Sequence, residues 1–140
     1  MILVPFQSHH LMEIELQRKQ KRDVTYFNDP AYGAALEAGD SFTAFHEGEI
    51  AACLGVFEFW KGRGIAWAMF TEKAGKVLPV LSLKAKRYMK QCRFNRIEAH
   101  IDPDFKESLR WCEMMGFVRE TPEPMKQFSP DGKAHYLYAW

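Results

Sequence analysis

The segment that decides the fold runs from Ile65 to Ile101 and reads IAWAMFTEKAGKVLPVLSLKAKRYMKQCRFNRIEAHI. Its first part, Ile65 to Thr71, is an apolar run typical of a strand. Apolar residues then recur at helical spacing, and Arg96 to Ile101 alternates between apolar and polar side chains as a strand does. A strand, a long helix and a second strand form one crossover unit. The two strands are therefore predicted to be parallel neighbours in one sheet.

Upstream of this unit, the pattern predicts one strand and two helices. Residues 1–6 are short and β-rich, and Ser8 is a good cap for a helix whose apolar positions include Leu11, Met12 and Leu16. A charged tail, residues 17–23, follows that helix. Asp29 is predicted to cap the second helix, with Pro30 at its first position and Gly39 at its end.

Three antiparallel strands are predicted next. Ser41 to His46 and Ile50 to Trp60 flank a tight turn at residues 47–49. The loop Lys61 to Gly64 then returns the chain into Ile65 to Thr71. Together they form a three-stranded meander.

The last third of the chain predicts a helix followed by strands. Asp102 or Asp104 is expected to cap the helix, and Gly116 to end it in the left-handed conformation. Residues 117–119 begin a strand, and residues 125–128 and 133–140 flank the hairpin turn Ser129 to Gly132. The predicted order is β-α-α-β-β-β-α-β-α-β-β, a mixed α/β fold in a single domain over residues 1–140.

Composition narrows the function classes. Hydrophobic residues make up 47% and aromatic residues 14% of the 140 residues, so a core can be buried and disorder is excluded. The formal net charge of +1 excludes a nucleic-acid binder driven by an overall basic field. No apolar run approaches a membrane span, and the N-terminus lacks the basic start of a signal peptide, so a cytoplasmic protein is expected. The cysteines Cys53, Cys92 and Cys112 show no metal-ligand spacing and are expected to be free buried thiols.

The element order resembles the fold of the GCN5-related N-acetyltransferases (GNAT). The most specific likeness is Asp104 to Arg119, DFKESLRWCEMMGFVR, which resembles the family's N-x-x-A-x-x-x-Y-x-x-x-G-F helix and strand. Gly116 and Phe117 match this pattern, whereas the Asn falls on Phe105 and the Tyr on Cys112.

A closer likeness is to small acetyltransferase-like proteins of short-tailed bacteriophages, including internal virion proteins. The chain shares with them the pair His9-His10, the basic segment Lys84 to Arg87 and the segment Leu109 to Trp111. This resemblance implies incorporation into a phage virion and other virion proteins as partners.

In the GNAT family the pyrophosphate of acetyl-CoA rests on a Q/R-x-x-G-x-G/A loop at the start of a helix. The matching segment here is Glu72 to Val77, EKAGKV, in which Gly75 is retained. Glu72 places an anion near the phosphate, and Val77 is expected to put a branched side chain where the backbone should be bare. If the chain is an enzyme, the resemblance implies that acetyl-CoA contacts a set at the end of the fourth strand and the start of the helix: Phe70, Thr71, Gly75, Lys76 and Val77.

Acetyl transfer to an amine needs a base for the incoming ammonium and an acid for the departing thiolate. The family's acid, a Tyr, falls on Cys112, a poor substitute. Candidate bases are Glu58 and Glu72 near the ends of strands, and His100, although Glu58 and His100 are also explained by outward alternation in their strands. Glu98 is expected to point outward with His100.

Three other features have competing explanations. Lys84, Lys86, Arg87 and Lys90 form a basic patch that is either a solvated helix face or a contact for an acidic protein or nucleic acid. The aromatic residues exceed what one sheet face can bury, so Phe59, Trp60, Tyr138 and Trp140 are predicted to form a protein interface. His9 and His10 suggest a metal pair, but neighbouring helical side chains point about 100° apart, so no metal is expected.

Two hypotheses follow from these observations. In the first, the chain is a non-catalytic or weakly catalytic GNAT-like protein without a cofactor, which binds another protein and can also oligomerise. In the second, it is an acetyl-CoA-dependent N-acyltransferase that acts on an amine of a small molecule or a protein.

Overall fold

The structure is a computed structural model and describes residues 1–14 and 29–140. Its elements, in chain order, are β1 (Ile2–Pro5), α1 (His10–Glu13), α2 (Pro30–Ala38), β2 (Asp40–His46), β3 (Glu49–Trp60), β4 (Arg63–Phe70), α3 (Ala74–Gln91), β5 (Arg96–Ile101), α4 (Lys106–Met114), β6 (Val118–Arg119) and β7 (Tyr136–Ala139). This order confirms the predicted mixed α/β architecture.

The strands join in the order β1-β2-β3-β4-β5-β7-β6. The predicted crossover is confirmed, because β4 and β5 are parallel, with Arg63 beside Arg96 and Ile65 beside Glu98. Strand β7 lies antiparallel to both β5 and β6. The sheet is therefore mixed, with its parallel pair at the α3 crossover.

The described chain divides into two compact units, and the first comprises residues 1–58 and 66–92. Its core gathers apolar side chains from the residue after β1 and from α1, α2, β3 and β4: Phe6, Leu11, Leu36, Ile50, Cys53 and Met69. The predicted start of α2 is confirmed, since Asp29 Oδ1 accepts a hydrogen bond from Ala31 N at 2.9 Å and Pro30 is the first helical residue. Gly39 ends this helix as expected.

The second unit comprises residues 59–65 and 93–140. Its buried residues include Ile97 on β5, Tyr138 on β7 and Cys112 on α4. Gly116 follows α4 with φ +102°, the left-handed conformation that the sequence predicted. A Cβ there would also lie 3.2 Å from Trp140 Nε1, so glycine suits this position on two grounds.

Some local predictions were wrong. The hairpin after β3 turns through Lys61 and Gly62 alone, because Gly62 at φ +89° permits a two-residue turn. Neither Asp102 nor Asp104 caps α4: the N-cap residue is Phe105, and Asp102 Oδ1 accepts instead from Asp104 N at 2.9 Å. Residues 125–128 form no strand, only a single bridge between Met125 and His135.

Helix α1 is also shorter than predicted, and Leu16 and residues 17–23 lie outside the described residues. Among the described helices, none combines the length and the apolar content that crossing a membrane requires. Cys53 and Cys112 are free and buried, and Cys92 is free and half-buried.

Candidate functional site

Residues 71–76, which lead into α3 and include its first turn, form the segment that we call the entry loop. Hydrogen bonds of the Thr71 side chain hold this loop in place. The buried hydroxyl of Thr71 donates to Ile50 O at 3.0 Å and accepts from Lys73 N at 3.2 Å. Thr71 O also accepts from Ala74 N at 3.1 Å. A side chain bonded to the neighbouring strand and to its own turn holds the backbone of this entry loop in one conformation.

The entry loop is open at Gly75. A Cβ added to this residue would meet no atom within 4 Å, and the residue is exposed. Val77, by contrast, is only 2% exposed and is buried in the core of the first unit. The prediction that its branched side chain occupies the loop was therefore wrong, because the apolar stripe of α3 turns Val77 inward together with Leu81.

The charges around the loop are mixed. Glu72 is exposed, as is Lys76, while the ammonium group of Lys73 pairs with Glu49. The first turn of α3 has no acidic residue, and no side chain caps it. The amino end of an 18-residue helix attracts anions through its unpaired amides and its dipole.

Two further side chains on β4 bear on the fit of a cofactor. Phe70, at its end, is half-buried and packs against the small cluster of Ala44, Ala52 and Leu81. The indole Nε1 of Trp67 is buried without a hydrogen-bond partner among the described residues. The open glycine at the start of α3 fits a phosphate-bearing ligand such as acetyl-CoA, whereas Glu72 opposes one, and the indole of Trp67 packs in the core against Phe6.

The candidate catalytic groups are less suited to transfer. Cys112 is 5% exposed on α4, and burial raises the pKa of its thiol to about 12. An acid that holds its proton so tightly is a poor donor near neutral pH. Glu58, at the end of β3, and Glu72, in the entry loop, are both exposed.

Glu98 lies on the same face of β5 as Arg96 and His100, as the alternation predicted, but it is not exposed to solvent. It is 2% exposed rather than turned to solvent. Arg63 binds it through Nε and through Nη2, the latter at 2.9 Å from Oε1, and Arg96 Nε lies 2.9 Å from Oε2. These hydrogen bonds, those of Arg63 foremost, lower the pKa of Glu98 to about 2 despite burial. The carboxylate is thus charged near neutral pH, and arginine donors occupy both of its oxygens.

Sequence reasoning missed this ion-pair network. Arg96 and Glu98 stand two residues apart on β5 and so share one face of the strand. That spacing could have revealed their pairing, whereas the contribution of Arg63 depends on the parallel register of β4 and β5. His100, on the same strand, is half-buried, and burial lowers its pKa.

An open pocket of about 510 Å³ lies at the β3–β4 turn and the start of β5, within the second unit. Trp60, Lys61, Arg63, Asn95 and Arg96 line it. The guanidinium of Arg63 lies 4.5 Å from the ring centroids of both Phe59 and Trp60. We call Phe59, Trp60 and Arg63 the aromatic–arginine surface.

The predicted interface residues separate by exposure. Phe59 is 50% and Trp60 59% exposed, and Trp140 is 38% exposed. Tyr138 is 2% exposed, so its assignment to an interface was wrong. Its hydroxyl donates to Glu113 Oε1 at 2.8 Å, which gives it a structural partner on α4.

The predicted basic patch lies on α3 as expected from the helical spacing. Lys84, Arg87 and Lys90 are exposed, and Lys86 is half-buried. Two exposed apolar residues, Val80 and Leu83, lie on α3 just before these charges. The patch is therefore a mixed basic and apolar face.

No family model matches this chain, and no curated protein matches it. Among solved structures it is similar to Ard1 from Thermoplasma volcanium, with 12% identity, 99% of this chain and 95% of that chain covered, and a TM-score of 0.74. It is also similar to a spermidine N-acetyltransferase chimera of SpeG from Vibrio cholerae and hSSAT. The identity is 13%, the match covers 99% of this chain and 93% of that chain, and the TM-score is 0.69.

A third similar structure is a GNAT-family acetyltransferase from Bacillus anthracis. The identity is 19%, the match covers 79% of this chain and 70% of that chain, and the TM-score is 0.59. These similarities give no support to the phage part of the resemblance. At such low identity they establish the architecture, and it agrees with the element order, the parallel β4–β5 pair and the α3 entry loop described above. The chain has the GNAT acyl-CoA N-acyltransferase fold.

Proposed function

We propose that this chain is a GNAT-fold protein that acts by binding a protein partner through the aromatic–arginine surface, with little or no acetyl transfer. The observation that carries the proposal is the exposure of Phe59 and Trp60 at the open pocket. Two large adjacent apolar side chains in water are expected where another surface covers them. Trp and Arg are also the residue types most enriched at the energetic centres of interfaces.

The arginine of this surface is already positioned. Arg63 is bonded on one side to Glu98 and contacts the rings of Phe59 and Trp60 on the other. A partner therefore meets a side chain whose rotamers are largely fixed, which lowers the entropy lost on binding. Lys61, which is exposed at the same pocket, favours acidic or carbonyl-rich groups on that partner.

The chemistry expected of an acetyltransferase has weak support in the same structure. The position that supplies the acid in the resembled family holds the buried thiol of Cys112, whose pKa burial raises to about 12. Glu98 is held by two arginines. The two carboxylates that remain as candidate bases, Glu58 and Glu72, are exposed. A domain with this set can retain ligand binding while transferring acetyl groups slowly.

A photo-crosslinking amino acid at position 60, introduced in the producing cell, tests the proposal. Cross-linked partners should appear with the probe at Trp60 and be absent with the probe at Met12, which is 70% exposed in the first unit. Recovery of the same partner from both positions, or from neither, would contradict the assignment. Trp60→Ala should then weaken the identified complex by tenfold or more.

The resemblance to virion proteins of short-tailed phages supplies one class of partner, namely other proteins of a phage particle. On this proposal the chain is found in purified particles, at a fixed ratio to the protein that cross-links at position 60. If purified particles do not contain the chain, its partner is a protein of the producing cell and not a protein of the particle.

A second candidate function, acetyl-CoA-dependent N-acyltransfer, is favoured by the open Gly75 and the inward Val77. In this reading the α3 entry loop binds the diphosphate, and Glu58 or Glu72 accepts the amine proton. Calorimetry with acetyl-CoA, combined with a thiol-release assay on a panel of amines, distinguishes the two. A micromolar dissociation constant with turnover would replace the first proposal.

Gly75→Glu sharpens this test, because the added side chain has room and brings a negative charge to the diphosphate position. If acetyl-CoA binds there, its affinity should fall at least tenfold. Gln91→Glu adds the same charge at the far, exposed end of α3 and should leave affinity unchanged. Equal affinity in both variants would show that the entry loop holds no phosphate.

A further inference from the structure

Helix α3 presents one face to solvent along its whole length. Its exposed residues recur every three or four positions and include Lys76, Val80, Leu83, Lys84, Arg87 and Lys90. Because an α-helix turns once in 3.6 residues, these positions share one face, opposite the buried Val77, Leu81 and Met89. The face extends along 18 residues, or about 27 Å.

Four of these residues stand in the spacing by which one helix packs against another. Val80, Leu83, Arg87 and Lys90 are separated by three, four and three positions, which is the a and d pattern of a helix–helix seam. Val80 is 49% and Leu83 69% exposed, although each would add stability if it were covered. The seam therefore has an apolar end at Val80 and Leu83 and a basic end at Arg87 and Lys90.

The charge on α3 has a single sign. The helix carries five basic residues and no aspartate or glutamate. Arg87 lies three residues from both Lys84 and Lys90, and like charges at this spacing destabilise a helix. Among residues 1–14 and 29–140, no carboxylate forms an ion pair with Lys84, Arg87 or Lys90. The folded chain thus retains a repulsion that carboxylates of another molecule would relieve.

We propose that the mixed basic and apolar face of α3 binds an acidic amphipathic helix of a partner protein. Apolar side chains of that helix cover Val80 and Leu83, and its carboxylates pair with Lys84, Arg87 and Lys90. The apolar contact supplies most of the binding free energy. The ion pairs, which stay partly exposed, select the partner and the direction in which its helix lies.

Three other occupants fit this face less well. A second copy of the chain would bring the same basic residues against one another. A nucleic-acid backbone pairs with lysine and arginine but gains nothing from two exposed aliphatic side chains. A membrane needs more apolar area than Val80 and Leu83 provide, because helices that lie in its interface carry a full apolar face with large side chains.

This inference does not rest on the proposed function. Helix α3 belongs to the first compact unit, whereas the aromatic–arginine surface belongs to the second. The two surfaces use different residues and different chemistry, so each can be tested without the other.

The test measures fluorescence anisotropy of two synthetic helical peptides with the full-length protein. Both peptides carry leucine at the a and d positions of three heptads, and one has glutamate and the other lysine at the e and g positions, so that like charges keep each from pairing with itself. The glutamate peptide should bind at least tenfold more tightly than the lysine peptide. Val80→Ser with Leu83→Ser should weaken its binding at least tenfold, and both side chains are exposed, so this variant should fold.

Reversing the charge of the face should reverse the preference. Arg87→Glu with Lys90→Glu should bind the lysine peptide at least tenfold more tightly than the glutamate peptide. Lys106→Glu with Arg110→Glu is the matched control, because it makes the same change at exposed positions of α4, and it should leave both affinities unchanged.

Three results would overturn the proposal. The first is equal binding of the two peptides, and the second is an equal effect of the α3 and α4 charge reversals. The third is binding of the unaltered protein to a DNA duplex or to vesicles of phosphatidylcholine and phosphatidylserine, without peptide binding, that the α3 variants abolish. That result would assign the face to phosphate groups rather than to a protein helix.

Discussion

Glu98 shows how one residue can reverse an expectation drawn from strand periodicity. A carboxylate between Ile97 and Ala99 is expected to face water, yet Arg63 and Arg96 neutralise it in a nearly inaccessible position. Buried charges persist in proteins where partners and hydrogen bonds compensate for lost hydration. Side-chain alternation predicted the face of β5 on which Glu98 lies but not its burial, because the burial depends on Arg63 of the neighbouring strand.

The pKa of Glu98, lowered to about 2 chiefly by Arg63, makes a prediction about acid stability. A carboxyl group with a depressed pKa in the folded state adds stability above its ordinary pKa near 4.5 and loses it as the pH falls toward 2. Glu98→Gln should therefore reduce the free energy of unfolding at pH 7 by about 3 to 5 kcal/mol. It should also flatten the pH dependence of urea unfolding between pH 4.5 and pH 2.

Glu120→Gln provides the comparison, because Glu120 pairs with the same Arg96 but its side chain is 42% exposed. Exposed ion pairs contribute little, so this change should cost less than about 1 kcal/mol. Equal losses in the two variants would show that the burial of Glu98 adds nothing to its pairing.

Among the helices, α2 is the one whose start was predicted to the residue. Asp29 and Pro30 specify the start of α2 by local interactions alone. The cap needs only the Asp29 side chain and the backbone N–H of Ala31, two residues later. The start of α4 was misplaced because Asp102 and Asp104 have the same local preference, and Asp102 satisfies it in the turn before the helix. Lys133 also forms ion pairs with both aspartates, a contact between distant residues that no local pattern contains.

Removing the cap of α2 tests this account. Asp29→Ala leaves the amide of Ala31 without its acceptor and should reduce the free energy of unfolding by about 1 kcal/mol. Asp29→Asn keeps a side-chain oxygen and should remain within about 0.5 kcal/mol of the original chain. Chemical denaturation followed by circular dichroism measures both. If the asparagine variant loses as much as the alanine variant, the charge of Asp29 matters rather than its hydrogen bond.

At the scale of the whole molecule, the order of elements was predictable because apolar residues recur at a spacing that differs between strands and helices. The α3 entry loop was predicted in position but misjudged in one side chain, because the direction of Val77 depends on the core beneath the helix. The pocket beside Trp60 was not predicted, since it needs the parallel register that brings Arg63 and Arg96 together.

The near-balance of charge gives the last prediction. Nineteen basic and eighteen acidic residues leave a formal charge of +1, so little repulsion separates two copies near neutral pH. If the aromatic–arginine surface awaits a partner, the isolated chain should associate weakly through it at pH 7.5. Association should decrease at pH 5.5, where the net positive charge of the chain is larger and two copies repel each other more. Sedimentation velocity over a concentration series at both pH values measures this.

Two double variants locate the association. Phe59→Ser with Trp60→Ser should leave a monomer at both pH values, because it removes the exposed rings of the surface. Val80→Ser with Leu83→Ser removes exposed apolar side chains of 49% and 69% exposure from α3 and should associate like the original chain. If the α3 variant becomes monomeric instead, the chain associates through the mixed basic and apolar face of that helix. The partner of this protein would then have to be sought there rather than at Trp60.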